Sequence, residues 1–264
     1  MEAQSPLIGT AFAAVLDEDA VEDRVVRYWN ARAEGFAETR EAELGSDEAA
    51  LWLAEILPVL RRYGSPRVLD IGTGTGFFPI LLSKLGIRAT GIDLAPEMVS
   101  EARKLALRHG FANHDFRVMN AEETEFEAGT FDVILTRNLT WTLPSLPRAY
   151  REWFRVLASG GTLLNFDADY GLVNFARLTG ELEEEGVENA HEGLEAEELR
   201  ACDEIKDSLP VSAMRRPEWD EVLLAESGFV SVETDLGLSD RVYPVRDATW
   251  NPVPMFRIEA RKPL

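Results

Sequence analysis

The sequence predicts an α/β fold built on a parallel sheet with helices on both faces. Three observations predict it. Between residues 67 and 166, apolar runs of strand length alternate with helical patterns four or five times. The connections are short, which sets successive strands side by side with right-handed crossovers. The first run, Val68 to Ile71, opens directly into a glycine-rich turn, at the end of a strand where open α/β sheets bind ligands.

The elements follow in order. Residues 18–44 place Val25, Tyr28, Trp29, Ala33 and Phe36 at three- and four-residue steps, a helical period. Asp47 stands where it can cap a second helix carrying Leu51, Leu53, Ile56, Leu57 and Leu60, which ends near Gly64-Ser65-Pro66. A strand over Arg67–Ile71 leads to a helix over Phe78–Leu85, closed by Gly86. Next come a strand over Ile87–Ile92 and a helix over Pro96–His109, with proline in its first turn and Gly110 after its end. Strands over Asp115–Met119 and Phe131–Thr136, a helix over Leu146–Leu157 and a strand over Gly161–Phe166 continue the pattern.

The alternation stops after Asp169. Residues 170–215 are rich in Glu and read as a helical insertion. A helix over Pro217–Ser227 then resumes the pattern, and strands over Phe229–Leu236 and Met255–Ala260 close it. No internal repeat or low-complexity linker interrupts the chain.

Composition narrows the function. The 264 residues suffice for one sizeable core. No run approaches the roughly 18–20 apolar residues of a membrane span. The opening MEAQSPLIGTAF lacks the basic region and apolar run of a secretory leader. One cysteine, Cys202, permits no intrachain disulfide and fits a reducing cytoplasm. With only His109, His114 and His191 available, a Cys/His metal site is not expected. The formal charge of −20 repels nucleic-acid backbones, and no Lys/Arg-rich run offsets it. The partner expected is therefore a small molecule, not nucleic acid or membrane. Monomer and homodimer both remain open.

The sharpest motif is Val68-Leu69-Asp70-Ile71-Gly72-Thr73-Gly74-Thr75-Gly76-Phe77. Gly72 and Gly74 allow backbone geometry that a Cβ obstructs, and they let a ligand lie on the chain. The N–H groups opening the next helix can hold an anionic group. Asp70 precedes the turn, and Phe77 stands where a dinucleotide fingerprint needs its third glycine. Asp93 ends the second strand about 20 residues on, where an acid accepts ribose hydroxyls. It also stands close enough to Pro96 to help start a helix. The two roles are compatible.

From Val68 to Phe166 the chain resembles the class I methyltransferase family, with five motifs in the family's order. They are Val68–Phe77, Gly91–Met98, Asn120–Glu123, Phe131–Asn138 and Arg155–Leu163. Asn120 replaces the family's usual Asp or Gly, and Ala158-Ser159 replaces Lys-Pro in the last motif. The resemblance implies a Rossmann-like three-layer sandwich around a seven-stranded, mostly parallel sheet with the last strand antiparallel. It implies S-adenosyl-L-methionine as cofactor and S-adenosyl-L-homocysteine as product. Asp70, Gly72, Thr73, Gly74, Gly76, Asp93 and Asn138 would then hold the cofactor. Leu94 would flank the adenine with Met98 nearby, and the Ala121 backbone and Glu122 side chain would meet the adenine edge. Tyr28-Trp29-Asn30-Ala31-Arg32-Ala33-Glu34-Gly35-Phe36 resembles the cap helix of small-molecule methyltransferases. Tyr28 and Phe36 are its candidates to close over the methionine end, although aromatic residues at this spacing also serve as plain core.

The expected layout is one domain over residues 1–264. An N-terminal helical cap covers 1–64 and the cofactor core 65–169. A helical lid covers 170–215, and the last helix and strands cover 216–264.

Methyl transfer is an in-line displacement whose leaving group needs no proton, so orientation carries much of the rate. A base matters only for a nucleophile that arrives protonated, and O, N and S acceptors all stay open. Asn138 and Trp141 have the spacing of an Asn-Pro-Pro-aromatic motif without its prolines. Trp141 can equally be an apolar wall. Asp167 and Asp169 can orient a substrate, act as base or bind a metal, or serve only as turn residues, and Tyr170 follows them. No resident metal is expected. Arg215, Arg216 and Trp219 fall at the edge of the lid, where the arginines can bind a carboxylate or pair with nearby acids. Two rival readings stand beside this one. The first is a nicotinamide-dependent oxidoreductase, disfavoured by Phe77, and the second a non-catalytic cofactor-binding protein on the same fold.

Overall fold

A computed structural model describes residues 17–189 and 194–264. The leader reading of residues 1–12 and the histidine at 191 lie outside the described residues.

Helix α1 (Glu18–Gly45) starts where Asp17 accepts the Ala20 amide at 3.1 Å. It buries Val21, Val25, Tyr28 and Ala33, the face that the three- and four-residue spacing predicts. Helix α2 (Glu48–Leu60) follows, though Asp47 makes no capping bond to it. Then come β1 (Val68–Ile71), α3 (Phe77–Ser83), β2 (Ala89–Asp93), α4 (Pro96–Arg108), β3 (Asp115–Val118) and β4 (Phe131–Arg137). Helix α5 (Leu146–Val156) runs straight into β5 (Leu157–Ala168). That strand is longer than the apolar run suggests, because Leu157 already pairs with Phe131 before a register shift.

The insertion is helical, with α6 (Phe175–Glu185) and α7 (Ala196–Asp207), and α7 packs against α1. Helix α8 (Glu218–Glu226), β6 (Val230–Asp235), the short α9 (Leu238–Val242) and β7 (Met255–Arg261) complete the described elements. No residue pattern announces α9.

The seven strands form one sheet in the order β3-β2-β1-β4-β5-β7-β6. Strands β1 to β5 pair in parallel, and β7 runs antiparallel between β5 and β6. The expected seven-stranded sheet with an antiparallel last strand is therefore present. The order reverses at β1, which pairs with β2 on one side and β4 on the other. This is the switch point at which a crevice opens beyond the carboxyl ends of the strands. Beneath it the core is aromatic. Trp52 of α2 meets Phe78 of α3 edge-on at 5.7 Å and Phe166 of β5 at 5.4 Å.

Candidate active site

The turn after β1 is held by its own backbone and by two acids. Thr73 donates its amide to Ile92 O at 2.9 Å, and Gly76 donates to Thr73 O at 2.9 Å. Gly72, Gly74 and Gly76 all have positive φ, the backbone region that side chains disfavour. A Cβ on Gly72 would lie 2.8 Å from Leu139, and one on Gly74 would lie 3.1 Å from the Phe36 ring. The turn thus lies flush against β4's exit on one side and α1 on the other. Asp93 accepts the Gly74 amide with one carboxylate oxygen and the Ala95 amide with the other, each at 2.9 Å. Its main engagement is therefore to hold the turn and the entry to α4.

Asp70 is buried under the turn and accepts the Thr73 hydroxyl at 2.6 Å. Burial pushes its carboxyl up to about 7; the Asp93 charge adds to this, while the Thr73 bond and the Arg137 charge oppose it. A buried acid poised this way gains from a cation placed beside it.

A single cleft opens over this turn, walled by α1, the strand ends and the insertion. Leu94, Met98, Met119 and Ala121 form one apolar end. There Asn120 donates to Glu22 of α1 at 2.9 Å and accepts the Glu122 amide at 2.8 Å. At the other end, Trp141, Tyr170 and Phe175 form a ring cluster with centroids 5.2 to 5.9 Å apart. Tyr28, Leu199 and Cys202 close that end from above. Burial pushes the Cys202 thiol up to about 12, so it is no nucleophile at neutral pH.

Asn138 lines the cleft beside the ring cluster, its side chain bonded to Tyr170. Its backbone is left-handed, with φ 54°, a conformation Asn tolerates better than most residues. Its amide donates to Phe166 O at 2.8 Å, and its carbonyl accepts the Trp141 indole N–H at 2.9 Å.

Residues 69–165 match a family model described as a methyltransferase domain. The match covers the first five strands of the sheet and the glycine turn. Ubiquinone biosynthesis O-methyltransferase of Xanthomonas axonopodis pv. citri is 37% identical over 98 residues, 37% of this chain and 41% of that protein. Aklanonic acid methyltransferase DauC of Streptomyces sp. (strain C5) is 39% identical over 101 residues, 37% of this chain and 46% of that protein. The chain thus spans less than half the length of these curated relatives. Among solved structures, phosphoethanolamine N-methyltransferase 2 of Haemonchus contortus, in complex with S-adenosyl-L-methionine, aligns with TM-score 0.52 at 20% identity. That alignment covers 80% of this chain and 53% of the other. The YcgJ protein of Bacillus subtilis aligns with TM-score 0.53 at 20% identity, over 80% of this chain and 98% of the other. These two likenesses show the fold.

The fold brings most of the residues chosen from sequence to one cleft. Tyr28, Phe36, Asp70, Gly72, Thr73, Gly74, Asp93, Leu94, Met98, Ala121, Glu122, Asn138, Trp141 and Tyr170 all line it. Gly76 does not. A Cβ there would meet Phe116 at 2.8 Å and Ala102 at 3.2 Å, so this glycine serves helix packing beneath the turn. Glu122 lines the cleft, but its carboxylate accepts the Ser145 amide at 2.7 Å and pairs with Arg148. The Ala121 carbonyl accepts the Trp153 indole at 2.8 Å. The Glu122 carboxylate and the Ala121 carbonyl are thus bonded to α5 and its N-cap.

The acids after β5 are corrected more sharply. Asp167 is fully buried, accepts the Thr140 amide at 2.9 Å and the Ala168 amide at 2.8 Å, and pairs with Arg216 at 3.6 Å. A base needs an open path to its substrate, and Asp167 has none. Asp169 accepts the Arg216 amide at 3.2 Å and lies outside the cleft wall. Arg216 is itself buried between Asp167 and Asp220, the latter at 2.7 Å. Arg215 is exposed beside Glu218, and Trp219 packs against the core. None of these three reaches the cleft wall.

Sequence reasoning also missed a charged corner. Glu43 of α1 is fully buried and receives Arg137, Arg40 and the Trp52 indole, the last at 2.8 Å. Burial opposes its charge, yet the Arg137 and Arg40 guanidiniums hold its carboxyl below the usual range. Arg137 also lies over the Trp52 ring at 4.2 Å and the Phe77 ring at 5.1 Å. The pairing of Arg137 with Glu43 joins residues 94 apart in sequence, which no local pattern reveals. Among the described residues, no group of three or more His, Cys, Asp or Glu side chains is placed to hold a metal ion.

Proposed function

We propose that the protein is an S-adenosyl-L-methionine-dependent methyltransferase that methylates an O, N or S nucleophile of a small molecule and releases S-adenosyl-L-homocysteine. The observation that carries this is the junction of the Gly72–Gly74 turn, Asp70 and Asp93 with a ring-lined compartment in one cleft. Gly72 and Gly74 line the cleft where a Cβ would meet Leu139 or Phe36, and Asp70 offers a carboxyl suited to a cationic amine or sulfonium. Phe77 lies over Arg137 where a dinucleotide fingerprint needs glycine, which disfavours a nicotinamide cofactor.

When bound, S-adenosyl-L-methionine supplies a methyl group activated on a sulfonium sulfur. The chain's own residues orient and enclose. Leu94, Met98 and Met119 fit an apolar ring, and Asp70 faces the cationic end. Trp141, Tyr170 and Phe175 exclude water from the acceptor. No histidine lines the cleft among the described residues. Orientation therefore contributes more than proton transfer. The helices of residues 170–215, packed on α1, are proposed as the lid of a single domain. No helix among the described residues is long and apolar enough to cross a membrane. The cytoplasmic setting belongs to the proposal and rests on the single cysteine.

Thermal unfolding with S-adenosyl-L-homocysteine, with NAD and with neither tests the reading. A ligand at about 100 times its dissociation constant adds roughly 2.7 kcal/mol to native stability. Stabilisation by S-adenosyl-L-homocysteine and not by NAD is expected. Stabilisation by NAD alone overturns the reading and keeps the fold.

A further inference from the structure

Asn138 is fixed by a chain of hydrogen bonds whose direction can be read from its far end. Val253 donates its amide to Asn251 Oδ1 at 3.0 Å. That settles the orientation of the Asn251 amide, because its oxygen is the atom in use. Asn251 Nδ2 then donates to Tyr170 Oη at 2.8 Å. A phenol has one proton, and Tyr170 Oη donates it to Asn138 Oδ1 at 3.0 Å. Asn138 Oδ1 is thereby turned to Tyr170, with one of its two lone pairs in use. The backbone N–H and C=O of the same residue are taken by Phe166 O and the Trp141 indole. The donors that remain are the two Nδ2 protons. They make no hydrogen bond to a described residue, and Asn138 lines the cleft.

We propose that Asn251 and Tyr170 are positioning residues that hold Asn138 as an N–H donor, and that this donor receives an oxygen of a bound small molecule, a carboxylate or another oxyanion. The inference deepens the methyltransferase reading and rests on it for the identity of the cofactor. Asn251 lies between α9 and β7, 81 residues from Tyr170, so the closing segment of the chain reaches back to set the polarity of the site. The relay matters because a free asparagine amide can turn either face outward, whereas this one cannot without leaving the Tyr170 proton unpaired in a buried place. A ligand presenting an N–H to Asn138 Nδ2 meets a donor and is disfavoured; one presenting an oxygen is accepted. The oxygen can belong to the methionine carboxylate of the cofactor or to the methyl acceptor. The Trp141, Tyr170 and Phe175 rings beside it fit an acceptor with a flat apolar frame.

The test uses the full chain, wild type and with Asn251→Asp, Tyr170→Phe or Asn138→Asp. Asn251→Asp keeps the shape but offers Tyr170 an acceptor, so its proton turns away from Asn138. Tyr170→Phe keeps the ring and deletes the proton. Four probes are titrated by calorimetry. S-adenosyl-L-homocysteine is paired with 5′-methylthioadenosine, which lacks the carboxylate, and 1-naphthoate with 1-naphthylmethylamine. In parallel, the Asn138 side-chain amide pair is followed by ¹⁵N–¹H spectra, assigned by its disappearance in Asn138→Asp.

The expected result is a ligand-induced shift of the Asn138 pair and an affinity loss of about tenfold in both relay variants. The loss is confined to the oxygen-bearing member of one pair. Loss with S-adenosyl-L-homocysteine assigns the cofactor carboxylate, and loss with naphthoate assigns the acceptor. Equal loss for both members of each pair means a merely structural role and overturns the proposal. So does an Asn138 resonance that neither oxygen-bearing probe moves. A relay variant that does not fold is replaced by the other. Failure of wild type to bind S-adenosyl-L-homocysteine counts against the methyltransferase reading instead, and the naphthalene pair, titrated alone, still decides the relay.

Discussion

Asp93, the last residue of β2, accepts the amide of Gly74 at 2.9 Å and so ties the second strand to the turn 19 residues before it. The same carboxylate holds Ala95 with its other oxygen. Asp93→Ala removes both acceptors, and a buried donor left unserved costs about 1–3 kcal/mol. The expected outcome is a loss of that size in urea unfolding and a more than tenfold loss of S-adenosyl-L-homocysteine affinity. Asp93→Asn, which can still serve one amide, should fall between. An unchanged midpoint for Asp93→Ala would mean that the tie is idle.

Asp70 gives the site a pH dependence. Burial sets its folded carboxyl at about 7, above the ordinary 3.8. The stability it contributes is therefore fully present below its unfolded value and lost as pH rises through about 7. A cation bound beside it favours the ionised form, so binding releases a proton. S-adenosyl-L-homocysteine affinity should rise between about pH 6 and pH 8, and Asp70→Asn should flatten that rise. Calorimetry across this range in two buffers of different ionisation enthalpy reads both the trend and the proton.

Two glycines of the turn separate folding from binding. Gly76→Ala forces a Cβ to 2.8 Å from Phe116 at a φ of +87°. It should destabilise by about 1–3 kcal/mol yet leave S-adenosyl-L-homocysteine affinity within about twofold. Gly74→Ala instead places its Cβ 3.1 Å from the Phe36 ring at the cleft wall, and it should weaken binding more than it lowers the unfolding midpoint. A reversed pattern would return Gly76 to the binding residues.

Arg216→Met tests the corrected role of the last sequence-chosen arginine. The change leaves Asp167 and Asp220 buried without their cation, and breaking such a group costs about 3–5 kcal/mol. Urea unfolding should show that loss. A variant that folds normally and loses only acceptor affinity would restore the substrate role.

The legible parts of this protein are the local ones. The glycine turn, the strand ends at Asp93 and Asn138, and the α1 face carrying Tyr28 and Phe36 are written in runs of ten residues or fewer. Their spacing alone places them on one side of the sheet. Asp167 and Asp169 look the same in sequence as reactive strand-end acids. What distinguishes them is Arg216, which arrives from 48 residues downstream of Ala168 to bury that charge. The Arg137–Glu43 pair and the Asn251–Tyr170 bond were invisible for the same reason. Each joins elements whose meeting is decided by the packing of helices, not by any period in the chain. Glu122 lines the cleft as its place in the motif suggests, while the turn of its carboxylate toward α5 was equally hidden.

Strand β7 lies between β5 and β6, bonded on both sides. During synthesis, β5 must therefore wait as a bare edge, and β6 has no neighbour at all, until residues 255–261 leave the ribosome. Asn251 emerges only just ahead of them. The glycine turn is complete long before this, but the nascent chain cannot yet enclose a ligand. Over that interval an apolar strand edge stands open to other chains, and the emergence of β7 is the step that covers it.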